Sequence, residues 1–407
     1  MGFDLIIANA RLADRPQAVD IGIAAGRIAR LADRIAEEGV RADARGALAF
    51  PGFVEAHIHL DKACILDRCP ICEGTLAEAV RETAKAKAAF TSPDVYARAA
   101  GVLEQAVLHG TNRMRTFVEV DPRAGFRSLE AILRLKRDYA FAVDLQICAF
   151  AQEGLTQEMA TYAMLEEALR HGADLVGGCP YTDPRPDEHI RLVFELAQRY
   201  GVAIDFHVDF DLDPAGSALP TIIAETEARG YGGRVTIGHV TKLSAMPPAD
   251  VGATARRLSN AGIGLVVLPA TDLFLLGRSA DRLVPRGLAP AQILSTHGVT
   301  VAAASNNILN PFTPYGDASL ARMANLFANV AQLSRDADLG LAFDMVTSNA
   351  ARVLGAEYGL TEGAPADIVL IDAPDPASAI RRIAPVVAGW KGGRQTFTRP
   401  RPTLLRP

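Results

Sequence analysis

The pattern of apolar and polar positions divides the chain into ends and a middle. Near the start, short apolar runs at 4–8, 18–23 and 27–31 are set off by turn residues, with Ala25-Gly26 between the last two. The far end has the same texture. Residues 367–372 and 386–390 read as strands, and Lys391-Gly392-Gly393-Arg394 is hairpin chemistry. Two β-rich ends around a different middle predict one small β-sandwich domain, built from residues 1–50 and 360–407. The tail after Thr398 is rich in Pro and Arg and is expected at the periphery.

The middle, residues 51–359, alternates. Strand-like apolar runs fall at 53–59, 114–120, 145–150, 175–178, 203–208, 235–240, 264–268 and 300–304. Helical patterns separate most of them, at 76–90 with 93–108, 129–137, 158–170, 188–199, 218–229 and 249–261. Two more, 320–333 and 342–354, follow the last run. Eight β runs joined by helix-length connections predict an α/β protein with a closed parallel (β/α)8, or TIM, barrel. The runs are nearly all apolar, as strands covered on both faces must be.

Barrel chemistry collects at the C-terminal ends of the strands, and there the polar residues are informative. The first run ends His57-Ile58-His59, the fifth His207-Val208-Asp209, and the sixth in His239. Gln152 and Glu153 follow the third run, and Ser305-Asn306-Asn307 the eighth. Side chains alternate along a strand, so His57 and His59 share a face. Two neighbouring imidazoles cannot both be protonated cheaply, but they suit a divalent cation. A third from His207 would complete three ligands and leave a position open for water. His239, after Gly238, is a second-metal ligand, a proton carrier, a carbonyl polariser or a buried structural histidine. His109, His171, His189 and His297 fall at helix ends or in loops and receive no role.

Composition narrows the picture. The 407 residues are 49% hydrophobic and 22% charged, which excludes disorder and leaves room for a large barrel plus an attachment. The net charge of −5 comes without any basic block, so nucleic acid is not an expected partner. No apolar stretch approaches the roughly 18 residues that would cross a membrane. The opening Met1-Gly2-Phe3-Asp4 lacks the basic start of a secretory signal. Five scattered cysteines suit a reducing compartment, and a cytoplasmic location is expected. Cys64 and the pair Cys69-Pro-Ile-Cys72 read as free thiols of a loop, because no second pair follows to complete a zinc knuckle.

The phrase Pro51-Gly-Phe-Val-Glu-Ala-His57-Ile-His59-Leu-Asp61-Lys62 resembles the amidohydrolase superfamily. So do Asp205-Phe-His207-Val-Asp209, Gly238-His239 and Gly363-Ala-Pro-Ala-Asp367. His-Leu-Asp and Gln152-Glu153-Gly154 are similar to its cytosine-deaminase-like branch. The resemblance implies that His57, His59 and His207 hold one divalent metal, zinc or iron(II), and that His239 polarises substrate and attacking water. It implies that Gln152 reads the edge of a planar heterocycle, and that the protein forms a homo-oligomer. Its reaction is attack of metal-activated hydroxide on an sp² carbon bearing nitrogen.

Three positions depart from that pattern. Asn306 stands where the superfamily has a metal-binding Asp, Phe210 where the branch has a Glu proton carrier, and Phe117 where it often has a His. An amide can coordinate through oxygen but cannot take a proton from water. The base must then be His239, Asp209, Asp211 or Asp317, while Phe117 and Phe210 make the pocket more apolar. Lys62, Asn307 and Asp317 complete the candidate substrate contacts. The expected function is metal-dependent hydrolysis of a non-peptide C–N bond in a small cyclic amidine, cyclic amide or aminated N-heterocycle. The second expectation is a catalytically retired barrel that binds a ligand or builds an assembly.

Overall fold

A computed structural model describes residues 2–71 and 73–405. Cys72, half of the Cys-x-x-Cys pair, lies outside the described residues; Cys64 and Cys69 are free thiols.

Strands β1 (Leu5–Ala10), β2 (Val19–Ala24), β3 (Arg27–Ala32) and β4 (Val40–Asp43) form one sheet in the order β3-β2-β1-β4. Next comes β5 (Leu48–Phe50), and then the barrel. Its strands are β6 (Phe53–Ile58), β7 (Thr111–Glu119), β8 (Asp144–Ala151), β9 (Leu175–Gly178), β10 (Ala203–Val208), β11 (Val235–His239), β12 (Ile263–Val267) and β13 (Val301–Ala303). The chain ends with β14 (Ile368–Ile371), β15 (Val386–Lys391) and β16 (Arg394–Thr398), which join β5 in a second four-stranded sheet, order β16-β15-β14-β5.

The two terminal sheets share a core that includes Leu5, Ile7, Ile21, Ile23, Ile368, Leu370 and Trp390. The expected turn at Ala25-Gly26 and the expected hairpin turn at Gly392-Gly393 both form, each joining an antiparallel pair. Ala25-Gly26 has φ of 50° and 74°, and Gly392-Gly393 of 52° and 75°. Positive φ at both loop positions is what a two-residue hairpin needs, and Gly adopts it without a Cβ penalty.

All eight barrel strands run parallel in sequential order, and a parallel bridge between Ile58 and Asn306 joins the two ends of the sheet. Asn306 N–H donates to His57 O and His59 N–H to Asn306 O, both at 2.8 Å. The seam of the barrel is therefore stitched through the candidate metal ligands.

Two local expectations fail. The pattern at 342–354 is two helices, Asp336–Asp344 and Ser348–Val353. The break between them frees two carbonyls for the barrel: Ala303 N–H donates to Met345 O and Val54 N–H to Val346 O, both at 2.9 Å. Between β12 and β13 lie two short helices, Pro269–Leu275 and Ala291–Thr296, which no sequence pattern indicated. Among the described residues no helix is long and apolar enough to cross a membrane.

Candidate active site

Glu55, His57 and His59 alternate along β6 and just past it, and His207 comes from β10 across the barrel. The Nε2 atoms converge: His57 and His207 are 3.0 Å apart, His59 and His207 3.1 Å. All three residues are at most 2% exposed. Close approach has a backbone requirement, since a Cβ at Gly238 would stand 3.1 Å from the His57 ring. Burial first, and neighbouring positive groups second, push all three imidazoles well below the usual histidine range, so they are neutral at pH 7. Three neutral rings turn the same nitrogen to one point, and each offers an Nε2 lone pair there in its Nδ1–H tautomer. That donor set suits a cation.

Asn306 completes the test. Its φ is 59°, its backbone is fixed at the seam, and its Oδ1 is buried with no hydrogen-bond partner among the described residues. A buried orphan acceptor beside three converging nitrogens fits a divalent ion. Among the described residues the outer nitrogens, Nδ1 of His57, His59 and His207, also have no hydrogen-bond partner. In place of carboxylates, aromatic rings hold the imidazoles. Phe117 lies 4.0 Å from the His57 ring and 4.7 Å from His207, and Phe150 stacks on His207 at 5.0 Å and 11°.

A second group of metal-capable side chains, Glu119, Asp121 and Glu153, already surrounds a cation. Lys87 Nζ is 2.8 Å from Glu119 Oε2, 2.6 Å from Asp121 Oδ2, and paired with Glu153.

His239 stands at the end of β11 with its Nδ1 2.7 Å from Asp272 Oδ1. Asp272 is fully buried on helix Pro269–Leu275, and burial, opposed by His239, raises its carboxyl above the usual range. The carboxylate accepts the Nδ1 proton, which leaves Nε2 for the cavity. Asp272 was missed from sequence. The only signal was an acid four residues past the apolar run 264–268.

The cavity at the rim is lined by His59, His207, His239 and Asn306 on one side and by Lys62, Gln152, Tyr181 and Asn307 on the other. Leu76, Phe210, Thr271 and Phe312 close it. Its free space is about 10 Å³, room for about one water. A ring-sized ligand therefore enters only when the apolar cap shifts. That cap is Leu76 and Ala79 of helix Leu76–Lys87 packed on Phe210 and Phe312.

The other sequence candidates lie differently. Asp209 is spent on structure: Oδ2 accepts from Ser217 Oγ at 2.5 Å and Oδ1 from Ala218 N–H at 2.9 Å, at the start of helix Leu219–Ala228. Asp211 is half-exposed and pairs with Lys242. Asp317 pairs with Arg322 and accepts from Ser319 N–H. None of the three carboxylates lines the cavity. Turn carboxylates close in sequence to a site satisfy nearby backbone first. Phe117 backs the imidazoles rather than lining the cavity, and Phe210 lies against His239, ring centres 4.1 Å apart.

Fold and site together define a class: a TIM-barrel protein with a histidine cluster of metal-binding type at the C-terminal rim. Residues 42–397 match the model of the amidohydrolase family, and the chain belongs to that family, in its deaminase-like branch. The N-isopropylammelide isopropyl amidohydrolase of Pseudomonas sp. (strain ADP) is 31% identical over 408 residues, 96% of each chain. The pterin deaminase of Rhizobium rhizogenes (strain K84 / ATCC BAA-868) is 30% identical over 342 residues, 83% of this chain and 77% of its own. The crystal structure of 5-methylcytosine deaminase from Klebsiella pneumoniae liganded with 5-fluorocytosine superimposes with a TM-score of 0.93 at 31% identity, covering 98% of this chain and 99% of that one.

Proposed function

We propose that this protein is a metal-dependent hydrolase of a non-peptide C–N bond in a small N-heterocycle, with zinc or iron(II) held by His57, His59, His207 and Asn306. The observation that carries the reading is the convergence of three neutral Nε2 atoms beside the orphaned Asn306 oxygen. A divalent ion there supplies Lewis acidity and an acidified water at neutral pH. The chain's own groups do the rest. His239, tethered through Nδ1 to Asp272, has Nε2 free to take a proton from the attacking water and to deliver it to the departing nitrogen. Phe210, Phe312 and Leu76 exclude bulk water. The relatives support this chemistry, since their names describe removal of an amino or alkylamino group from a heterocycle.

Protein purified without chelator is expected to hold about one zinc or iron per chain and to release ammonia or an amine from a panel of pyrimidines, triazines and pterins. His57→Ala and His207→Ala are expected to lose both the metal and at least about 10³-fold of the activity. Metal-free protein that turns over as well as loaded protein would refute the reading.

One observation favours a retired barrel: among the described residues no carboxylate lines the cavity. In that case the panel gives no turnover, and Asn306→Asp combined with Phe210→Glu restores it.

A further inference from the structure

Lys242, three residues past His239, is 6% exposed, and its ammonium is fully occupied. Nζ donates to Asp213 O at 2.7 Å, to Ala215 O at 2.7 Å and to Asp211 Oδ1 at 2.9 Å. An ammonium has three protons, so none is left for a substrate. Beside it, Thr241 Oγ1 lies 2.9 Å from both Asp209 O and Asp211 O, and its one proton serves the pair. The carbonyls of four alternating residues, 209, 211, 213 and 215, thus turn inward onto two neighbouring side chains.

These carbonyls belong to the segment between β10 and helix Leu219–Ala228, which has no ladder of its own. Among the described residues no backbone-to-backbone hydrogen bond closes within 209–218. Its amides are met by its own carboxylates: Asp211 Oδ1 accepts from Asp213 N–H at 2.8 Å, and Asp213 Oδ1 from Ala215 N–H at 3.0 Å. Carbonyl and carboxylate oxygens gathered round one positive charge are what a cation-binding loop presents. Here the cation is tethered to the chain just past β11.

Both strand ends need holding. Asp209 has φ of 55°, and His239 and Val240 have φ of 70° and 52°. Left-handed backbone is costly at a β-branched residue such as Val240, and it persists where surrounding contacts over-determine it. Between the strained turns stands Phe210, which closes the cavity with its ring 4.1 Å from that of His239. Thr241 grips the residues on either side of Phe210, and Lys242 grips the rest of the loop. We infer that Lys242 is a positioning residue: its ammonium is the ion around which the 209–218 loop folds, and the loop so held keeps Phe210 over His239. The effect on turnover rests on the hydrolase reading; the cage does not.

Lys242→Met keeps the stem and removes the charge. The zinc-loaded variant is expected to keep its far-UV circular dichroism and its zinc. Endoproteinase Asp-N is expected to cut it before Asp211 and Asp213 at least about tenfold faster than the parent, read by mass spectrometry. On a panel of pyrimidines, triazines and pterins kcat is expected to fall about 10–10²-fold. That fall is expected to vanish in a Phe210→Ala background, where nothing is left to position. In Lys242→Ala, ethylammonium is expected to restore both protection and turnover. Tetramethylammonium, which has the charge but no N–H, is expected to restore neither. Should Lys242→Met not fold, Thr241→Val removes the other half of the grip and is read by the same cleavage and kinetics. A loop as protected as the parent's, a loss of kcat undiminished without Phe210, or no rescue by ethylammonium overturns the inference. If the parent turns over no ring, the hydrolase reading fails, and cleavage with its rescue alone decides the inference.

Discussion

His239 presents one nitrogen to Asp272 and the other to the cavity, and that division sets what the residue can do. An imidazole free to rotate or change tautomer would spend much of its time unable to accept a proton at Nε2. Asp272→Asn keeps the shape and removes the charge that fixes the tautomer. It is expected to lower kcat on the order of 10²–10⁴-fold, with KM within about threefold and metal content unchanged. A residue that merely packs the loop would instead lower the melting temperature and leave kcat alone, so steady-state kinetics on the folded variant decide. The convergence of the three histidines was legible because strand periodicity puts His57 and His59 on one face, and the end of the fifth barrel strand puts His207 opposite. Asp272 was not, because its partner lies 33 residues away and its own helix spans seven residues, too few for a periodic signal. Asp209 misled for the converse reason. Nearness in sequence to His207 says nothing of which neighbour its oxygens satisfy.

At the scale of elements, the ends of β7 and β8 are tied to helix Leu76–Lys87 by buried charge. Lys62, Lys87, Glu119 and Asp121 are each at most 3% exposed and lie in one network. Burial alone would raise the Glu119 carboxyl, but Lys62 and Lys87 hold it down to about 2 against an ordinary 4.5. A carboxylate with a depressed pKa contributes stability that is present above about pH 4.5 and lost as pH falls toward 2. Glu119→Gln leaves two ammonium groups without that anion. It is expected to unfold about 3–5 kcal/mol more easily at pH 7. The gap to the parent should then narrow as the pH falls from 4.5 to 2, in denaturant melts followed by circular dichroism. A gap constant with pH would mean that packing, not charge, is what the substitution removed. The elements themselves were read well where apolar periodicity was long. They were read poorly where the barrel commandeers backbone, as at Met345 and Val346, whose carbonyls leave a helix to serve strands β13 and β6.

At the scale of the whole molecule, the convergence of the two ends was legible in their shared β texture. How they sit on the barrel was not, because that depends on which face of a strand meets which partner. The second sheet is apolar on both sides. Ile368, Leu370 and Trp390 turn to the other terminal sheet, while Val369, Ile371 and Val386 join the barrel core. Phe50 of β5 packs edge-on against Phe53 at 4.8 Å and against Phe343 at 5.3 Å. Lys391 adds ion pairs to Asp144 at 2.6 Å, on barrel strand β8, and to Asp367 at 2.8 Å. A sheet with a hydrophobic face on each side cannot leave one core without exposing the other, so the terminal sandwich and the barrel are expected to unfold as one unit. Trp390, the only tryptophan in the chain and 4% exposed, reports on the sandwich core. Far-UV circular dichroism is dominated by the helices around the barrel. In urea the two signals are expected to share one midpoint, within about 0.2 M. An earlier fluorescence transition with the helical signal intact would show instead that residues 1–50 and 360–407 form a separately melting domain.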